Sequence, residues 1–477
     1  MSTQAHPTSR PHHAPEPARH ATKSRRAGRA IVASVVAGAV AALVLSFVVF
    51  AGGTEARITG SLLLGFGFGW ALMAVVTTRR TRQPQRWAYV PAVAMGATGT
   101  ALVVFNPGNQ TMTALNWVWP PLMVALTVCM YVQMRRSVTG KARWVLTPVL
   151  AVLVLASMGA TYANIAGTRD QSTIAAPGKL YDVGGHRLHL DCHGHGSPTV
   201  VLSNGLGGVS AGWARITARV AATTRVCAYD RAGQGWSEDA VSPRDGVQSA
   251  EDLHTLLDVA GEHGPYVLVG HSTGGTYAMT YAARYPQQVA GMVLLDSSSP
   301  EQFTQMPAFS GQYTMMMRPT YSLMPTLSRL GVGRIPVNSH LPADDAAKVT
   351  AITSQPKYYR SQRDEVSVIP EAFDQAQALT TLGNRPLAVL TASATATGTE
   401  GWATAQHQLA ALSASSVHRT VHSTHEGLLE DAAPAATSAR AITEVITSVR
   451  ASTTCSVSTA SRMAPARTGQ RGPPTRR

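Results

Sequence analysis

The chain of 477 residues is 45% apolar and only 14% charged, which excludes wholesale disorder and indicates segments that avoid water. Its formal net charge of +14 is spread unevenly: residues 1–170 carry +13, residues 171–450 carry −4 and residues 451–477 carry +5. A slightly acidic centre excludes a basic nucleic-acid-binding domain, so nucleic acid is not an expected partner.

A basic tail, residues 1–29, is followed by five apolar stretches at 30–51, 58–76, 88–105, 115–134 and 144–163, none with Asp, Glu, Lys or Arg. Each has about 18–22 residues, the length a helix needs to cross roughly 30 Å of hydrocarbon. Residues 30–163 are therefore expected to form an all-α transmembrane region in a lipid bilayer. Gly65 and Gly69 make a small-xxx-small pair suited to close helix contact. Trp70, Trp87, Trp117, Trp119 and Trp144 fall in or near the ends of the runs, where interfacial aromatics sit.

The loops orient the spans. The N-terminal tail, the second-to-third loop (Arg79, Arg80, Arg82, Arg86) and the fourth-to-fifth loop (Arg135, Arg136, Lys141, Arg143) are basic. The first-to-second loop holds only Arg57, and the third-to-fourth loop holds no basic residue. Basic loops stay cytoplasmic, so five spans put the N-terminus inside and everything after residue 164 on the extracytoplasmic side. The expected location is the plasma membrane.

From 171 to 450, short β-rich runs alternate with helical ones. "KLYDV", "HRLHLDC", "TVVLSNG", "RVCAYD", "YVLVGHS", "GMVLLD", "PLAVLT" and "VHRTVHS" read as eight strands, with helices over 246–260, 275–285 and 402–413. Continuous apolar strands with intervening helices predict an α/β domain whose mainly parallel sheet is covered on both faces. The segment 451–477, rich in Ser, Thr, Arg and Pro, reads as a disordered basic tail.

Gly270-His271-Ser272-Thr273-Gly274 fits G-x-S-x-G between a predicted strand and a predicted helix. That context carries the chemistry. A serine on a sharp strand-to-helix turn has an exposed hydroxyl, side chains at the two glycines would crowd the turn, and the helix N-terminus favours developing negative charge.

With "VVLSNGLGG", "YDRAGQGWS" and "GHSTGG" occurring in that order, residues 178–448 resemble the α/β-hydrolase superfamily, serine esterases and lipases in particular. The resemblance covers a little over half the chain and leaves the apolar helices unexplained. It implies Ser272 as nucleophile and, in the order Ser, acid, His, the base His425 in "TVHSTHEGLLED", with His422 as the alternative. The acid is open. Asp296, at the end of "GMVLLD", is favoured over Glu400, the only carboxylate after the seventh strand; Asp364 and Asp374 are more remote choices. The resemblance further implies an oxyanion hole from the amides of Leu206 and Thr273, although Asn204 stands where the family often has His. Asp230, Arg231 and Ser237 read as scaffolding.

The family's strand order would set Cys192 beside Cys227, as a disulfide or as two buried thiols. His186, His189, His193 and His195 do not follow a standard metal spacing, so no metal and no cofactor are expected. Residues 297–385 form an insertion where the family carries a helical lid. Met306, Met315, Met316, Met317, Met324, Tyr313, Tyr321, Tyr358 and Tyr359 there suit either an adaptable apolar pocket or the packing of the lid itself.

These features together predict a membrane-anchored serine hydrolase that cleaves a small-molecule ester or related acyl bond, with a substrate that leans apolar. Amide or peptide hydrolysis, cofactor-free haloperoxidase chemistry and C–C cleavage remain compatible with such a scaffold, as does a non-enzymatic membrane protein with a hydrolase-like binding module.

Overall fold

In the computed structural model, which describes residues 17–81, 83–138, 142–335 and 339–463, the chain divides into two units. The first runs to Ala166 and includes Thr326–Val332; the second comprises Gly167–Pro325 and the residues from Gly333 onward.

The first unit is built on α1 (Pro17–Val44), α2 (Glu55–Arg80), α3 (Tyr89–Phe105), α4 (Asn109–Ser137) and α5 (Ala142–Thr173). These coincide with the five apolar runs, and all five are long and apolar enough to cross a membrane. Helix α1 starts at Pro17, inside the stretch read as a tail; residues 1–16 of that tail lie outside the described residues. The glycine pair on α2 is used for close approach. A Cβ on Gly65 would lie 2.2 Å from the Ala42 nitrogen, and one on Gly69 would lie 2.8 Å from the Gly38 Cα. With no side chains between them, the two backbones pack by direct contact.

Seven residues of the insertion also belong to this unit. Arg329 is buried and pairs with the Glu55 carboxylate, and it donates to Thr113 Oγ1 at 3.3 Å and Asn109 Oδ1 at 3.2 Å. The sequence offers no local cue for this, since Glu55 and Arg329 are 274 positions apart.

The second unit holds all eight expected strands: β1 (Lys179–Asp182), β2 (Arg187–His193), β3 (Val200–Ser203), β4 (Val226–Tyr229), β5 (Tyr266–His271), β6 (Val289–Leu295), β7 (Leu387–Ala392) and β8 (Ser416–Val421). They form one sheet in the order β1-β2-β4-β3-β5-β6-β7-β8. The β1/β2 and β2/β4 pairs are antiparallel and the others parallel. Helices α6 (Ala214–Val220), α7 (Gly246–Val259) and α8 (Thr273–Arg284) follow β3, β4 and β5. The insertion between β6 and β7 is helical: α9 (Gln302–Gln305), α10 (Pro307–Gln312), α11 (Arg318–Arg329), α12 (Ala343–Thr353) and α13 (Pro356–Ala376). The chain closes with α14 (Ser393–Gly398), α15 (Trp402–Ala410), α16 (Gly427–Glu430) and α17 (Ala432–Met463). Helix α17 extends past residue 450 to Met463, and residues 464–477 of the segment read as a basic tail lie outside the described residues.

Both faces of the central strands β3 to β7 are buried, which is why these read as apolar runs, whereas the edge strands β1 and β8 are largely exposed. Along β5 the side chains alternate. Leu268 joins Leu253 and Leu256 of α7 and Met279 of α8 on one face. Val267 and Val269 join Ile216 of α6 and Ile442 and Val445 of α17 on the other. The strand period of two thus builds two cores and leaves the C-terminal strand ends to carry the polar residues described next.

Candidate active site

Ser272 lies between β5 and α8 with φ 55° and ψ −130°, a region that L residues other than glycine rarely occupy. The two motif glycines have a steric cause. A Cβ on Gly270 would fall 2.4 Å from the Gly275 Cα, and one on Gly274 would fall 2.2 Å from the Ser203 carbonyl oxygen. Only glycine lets the turn close this tightly. Ser272 is partly exposed, and among the described residues its hydroxyl makes no hydrogen bond.

Asp296 directly follows β6, also with positive φ (42°), and its side chain is fully buried. Its carboxylate is enclosed by donors. Oδ2 faces His425 Nδ1 at 2.6 Å and accepts from Thr395 Oγ1 at 2.6 Å. Oδ1 accepts from Trp402 Nε1 at 2.8 Å and from the Ala392 amide at 3.1 Å. Burial opposes the charged form, but these hydrogen bonds outweigh it and hold the carboxyl below the usual range. For His425, burial works against protonation, and the bond to Asp296 with the nearby carboxylates raises its pKa above 6.5. Glu400, the alternative acid, is exposed, whereas Asp296 is the acid that reaches His425.

His271, the second residue of the motif, donates through Nε2 to the His425 carbonyl at 3.1 Å. Its importance was not legible in the motif, where that position is free. Thr395 and Trp402 were likewise missed, since nothing in the sequence marks them as neighbours of Asp296.

The loop after β3 passes directly beneath the turn: a Cβ on Gly205 would lie 2.8 Å from the Ser272 Cβ. Among the described residues the amides of Leu206 and Thr273 donate no hydrogen bond, so both are free to receive an anionic oxygen. Asn204 is structural, taking Trp213 Nε1 at 2.6 Å and donating to the Tyr229 carbonyl at 2.9 Å. The Leu206 side chain packs against Tyr313, Val366, Ile369 and Phe373 of the insertion. Of the insertion's methionines, Met306 is buried, while Met315 and Met316 are exposed.

Asp230 and Arg231 brace loops, as expected of scaffolding. Asp230 accepts from the Ser210 amide at 2.7 Å and faces His189 Nδ1 at 2.9 Å. Arg231 pairs with Glu365 of α13 at 2.8 Å. Glu365, next to Asp364, lies in no motif that marks it in the sequence. Cys192 and Cys227 face each other in the β2/β4 register and are joined as a disulfide. His186, His189 and His193 each pair with a different carboxylate: Asp252, Asp230 and Asp191.

Residues 198–432 match the sequence model of the family described as "alpha/beta hydrolase fold". One similar curated protein is the 2-hydroxy-6-oxononadienedioate/2-hydroxy-6-oxononatrienedioate hydrolase of Paraburkholderia xenovorans LB400, 35% identical over 130 residues, covering 25% of this chain and 44% of that one. Another is the probable transporter efuK of Hormonema carpetanum, 32% identical over 146 residues, covering 29% of this chain and 21% of that one. The chain thus spans less than half the length of these relatives. Among solved structures, the enol-lactonase of Burkholderia xenovorans LB400 aligns with a TM-score of 0.42 at 21% identity, over 56% of this chain and all of that one. The second unit has the α/β-hydrolase fold, and the chain carries an α/β-hydrolase domain behind five apolar helices.

Proposed function

We propose that this protein is a membrane-anchored serine hydrolase that cleaves an ester or related acyl bond. The observation that carries the reading is the 2.6 Å hydrogen bond between His425 and Asp296, formed next to the positive-φ turn at Ser272. The His271 ring, one residue from Ser272, lies 4.4 Å from that of His425.

In this mechanism Ser272 Oγ attacks the carbonyl carbon and His425 Nε2 takes its proton. Asp296 holds Nδ1–H and stabilises the imidazolium. The amides of Leu206 and Thr273 hold the oxyanion. Collapse breaks the bond to the leaving alcohol, which leaves with the proton from His425. Water, deprotonated by His425, then attacks the acyl-enzyme, and Ser272 regains its proton as the acid departs.

The placement of the domain on the extracytoplasmic side of the plasma membrane has two independent supports. Loop charge is one. The other is the Cys192–Cys227 disulfide, which is at home in an oxidising compartment.

The test is fluorophosphonate labelling of membranes carrying the wild type, Ser272→Ala and Asp296→Asn. Labelling lost in Ser272→Ala and reduced in folded Asp296→Asn is the expected result. Folded wild type that neither takes the probe nor hydrolyses p-nitrophenyl butyrate would sink the reading and favour a binding module.

A further inference from the structure

Glu365 belongs to the insertion, yet its carboxylate is buried against the turn that carries Ser272. Oε1 accepts from Arg231 Nη2 at 2.8 Å and from Thr273 Oγ1 at 2.9 Å; Oε2 accepts from Gln234 Nε2 at 2.8 Å. Arg231 passes the connection on. Its Nη1 donates to the Asn204 carbonyl at 2.6 Å and Nη2 reaches the Gly205 carbonyl at 3.5 Å, while the guanidinium sits 4.1 Å from the centre of the Tyr277 ring. One carboxylate therefore ties together Thr273 and the peptide units just before Leu206.

The chemistry of the group matters. Three donors converge on it, one of them cationic, and only a carboxylate offers enough lone pairs and charge to satisfy them all. Both its oxygens are occupied by donors, so it is not placed to shuttle protons. What it can do is fix distance. The two amides must both point at one oxygen, and a misplacement of about 1 Å can cost on the order of 10²-fold in rate.

We propose that Glu365 is a positioning residue: through Thr273 Oγ1 and Arg231 it sets the spacing and aim of the Leu206 and Thr273 amides, so that the insertion completes the oxyanion site. This rests on the reading of Ser272 as nucleophile. The sheet supplies nucleophile, acid and base, while the oxyanion geometry depends on α13 being docked.

The experiment uses the full chain in membranes and compares Glu365→Gln, Thr273→Val and Thr273→Ser with the wild type. It reads the fluorophosphonate rate constant per labelled site, and kcat, KM and the pH midpoint for p-nitrophenyl butyrate. Glu365→Gln and Thr273→Val should lose about 10–100-fold in rate constant and kcat, less than the roughly 10²–10³-fold cost of removing an oxyanion donor outright. KM should stay within about twofold and the pH midpoint should not move, because this interaction acts in the transition state and His425 is untouched. Thr273→Ser keeps the hydroxyl and should recover at least about tenfold of the rate that Thr273→Val loses. A purely structural role would lower the number of sites labelled and leave the rate per site unchanged. Wild-type rates per site in Glu365→Gln and Thr273→Val, or an equal loss in Thr273→Ser, would overturn the inference. If Glu365→Gln does not fold, the comparison of Thr273→Val with Thr273→Ser decides it alone. A folded wild type without labelling or hydrolysis overturns the serine-hydrolase reading itself, whereas a labelled wild type with unaffected variants overturns only the role of Glu365.

Discussion

His271 and His425 lie ring against ring, 4.4 Å apart, and His271 donates its Nε2–H to the His425 backbone carbonyl at 3.1 Å. A carbonyl only accepts, so this nitrogen carries the proton. Burial, together with the neighbouring His425, lowers the His271 pKa to about 4. His271 is therefore neutral at neutral pH and braces the loop bearing His425 without setting a second cation beside it.

That shift has a consequence for stability. In the unfolded chain a histidine binds its proton near 6.5, but His271 in the folded protein does so only near 4. Between these values the unfolded state holds more protons, so stability rises with pH there, by on the order of 3 kcal/mol across the interval. His271→Gln keeps a donor and removes the titration. Thermal unfolding of the two proteins from pH 4 to 6.5 should show a flatter dependence in the variant; equal slopes would assign the effect to another group.

The activity should also rise with pH, over a higher range. In its proposed role as base, His425 acts only when neutral, and its pKa is raised above 6.5, so kcat/KM should rise with pH with a midpoint above that value. Its contribution to stability is fully present below 6.5 and is lost as pH rises through the folded pKa. The depressed carboxyl of Asp296 contributes stability that is present above 3.8 and is lost as pH falls through its folded pKa. Asp296→Asn should move the activity midpoint down and cut kcat by roughly 10⁴-fold. A pH–rate profile with an unmoved midpoint would show that Asp296 does not act on His425.

Gly274 abuts the main chain of the neighbouring segment. A Cβ there would lie 2.2 Å from the Ser203 carbonyl oxygen and 2.6 Å from that of Asn204. Backbone cannot swing aside as a side chain can, so Gly274→Ala should destabilise the second unit by at least about 1–3 kcal/mol and abolish labelling of Ser272. Gly398, where an added Cβ meets nothing within 4 Å, is the control: Gly398→Ala should stay within about 0.5 kcal/mol of the wild type. Calorimetry on both variants checks the contrast.

The disulfide joins β2 to β4 across 35 positions of sequence. Replacing both Cys192 and Cys227 with Ser should lower stability by about 2–4 kcal/mol. Under denaturing conditions a bulky maleimide should add two labels before reduction and four after, since the sequence has four cysteines. Four labels before reduction would contradict the pairing and remove one support for an extracytoplasmic domain.

Much of this protein was determined by the sequence alone. Five charge-free apolar runs specify five long helices, and the apolar runs of β3 to β7 specify the central strands, because burial on both faces leaves no room for alternation. Gly270, Ser272 and Gly274 announce the turn, because close backbone contact tolerates only glycine there. The choice between Asp296 and Glu400 was different. Both follow strands, and only the packed structure turns one toward His425, 129 positions away, and leaves the other exposed. Glu365, 92 positions from Thr273, and Arg329, 274 positions from Glu55, carry no local pattern at all. Periodicity records what neighbours along the chain bury in common. Hydrogen bonds between distant elements depend on where those elements dock, and that is decided only when the tertiary structure forms.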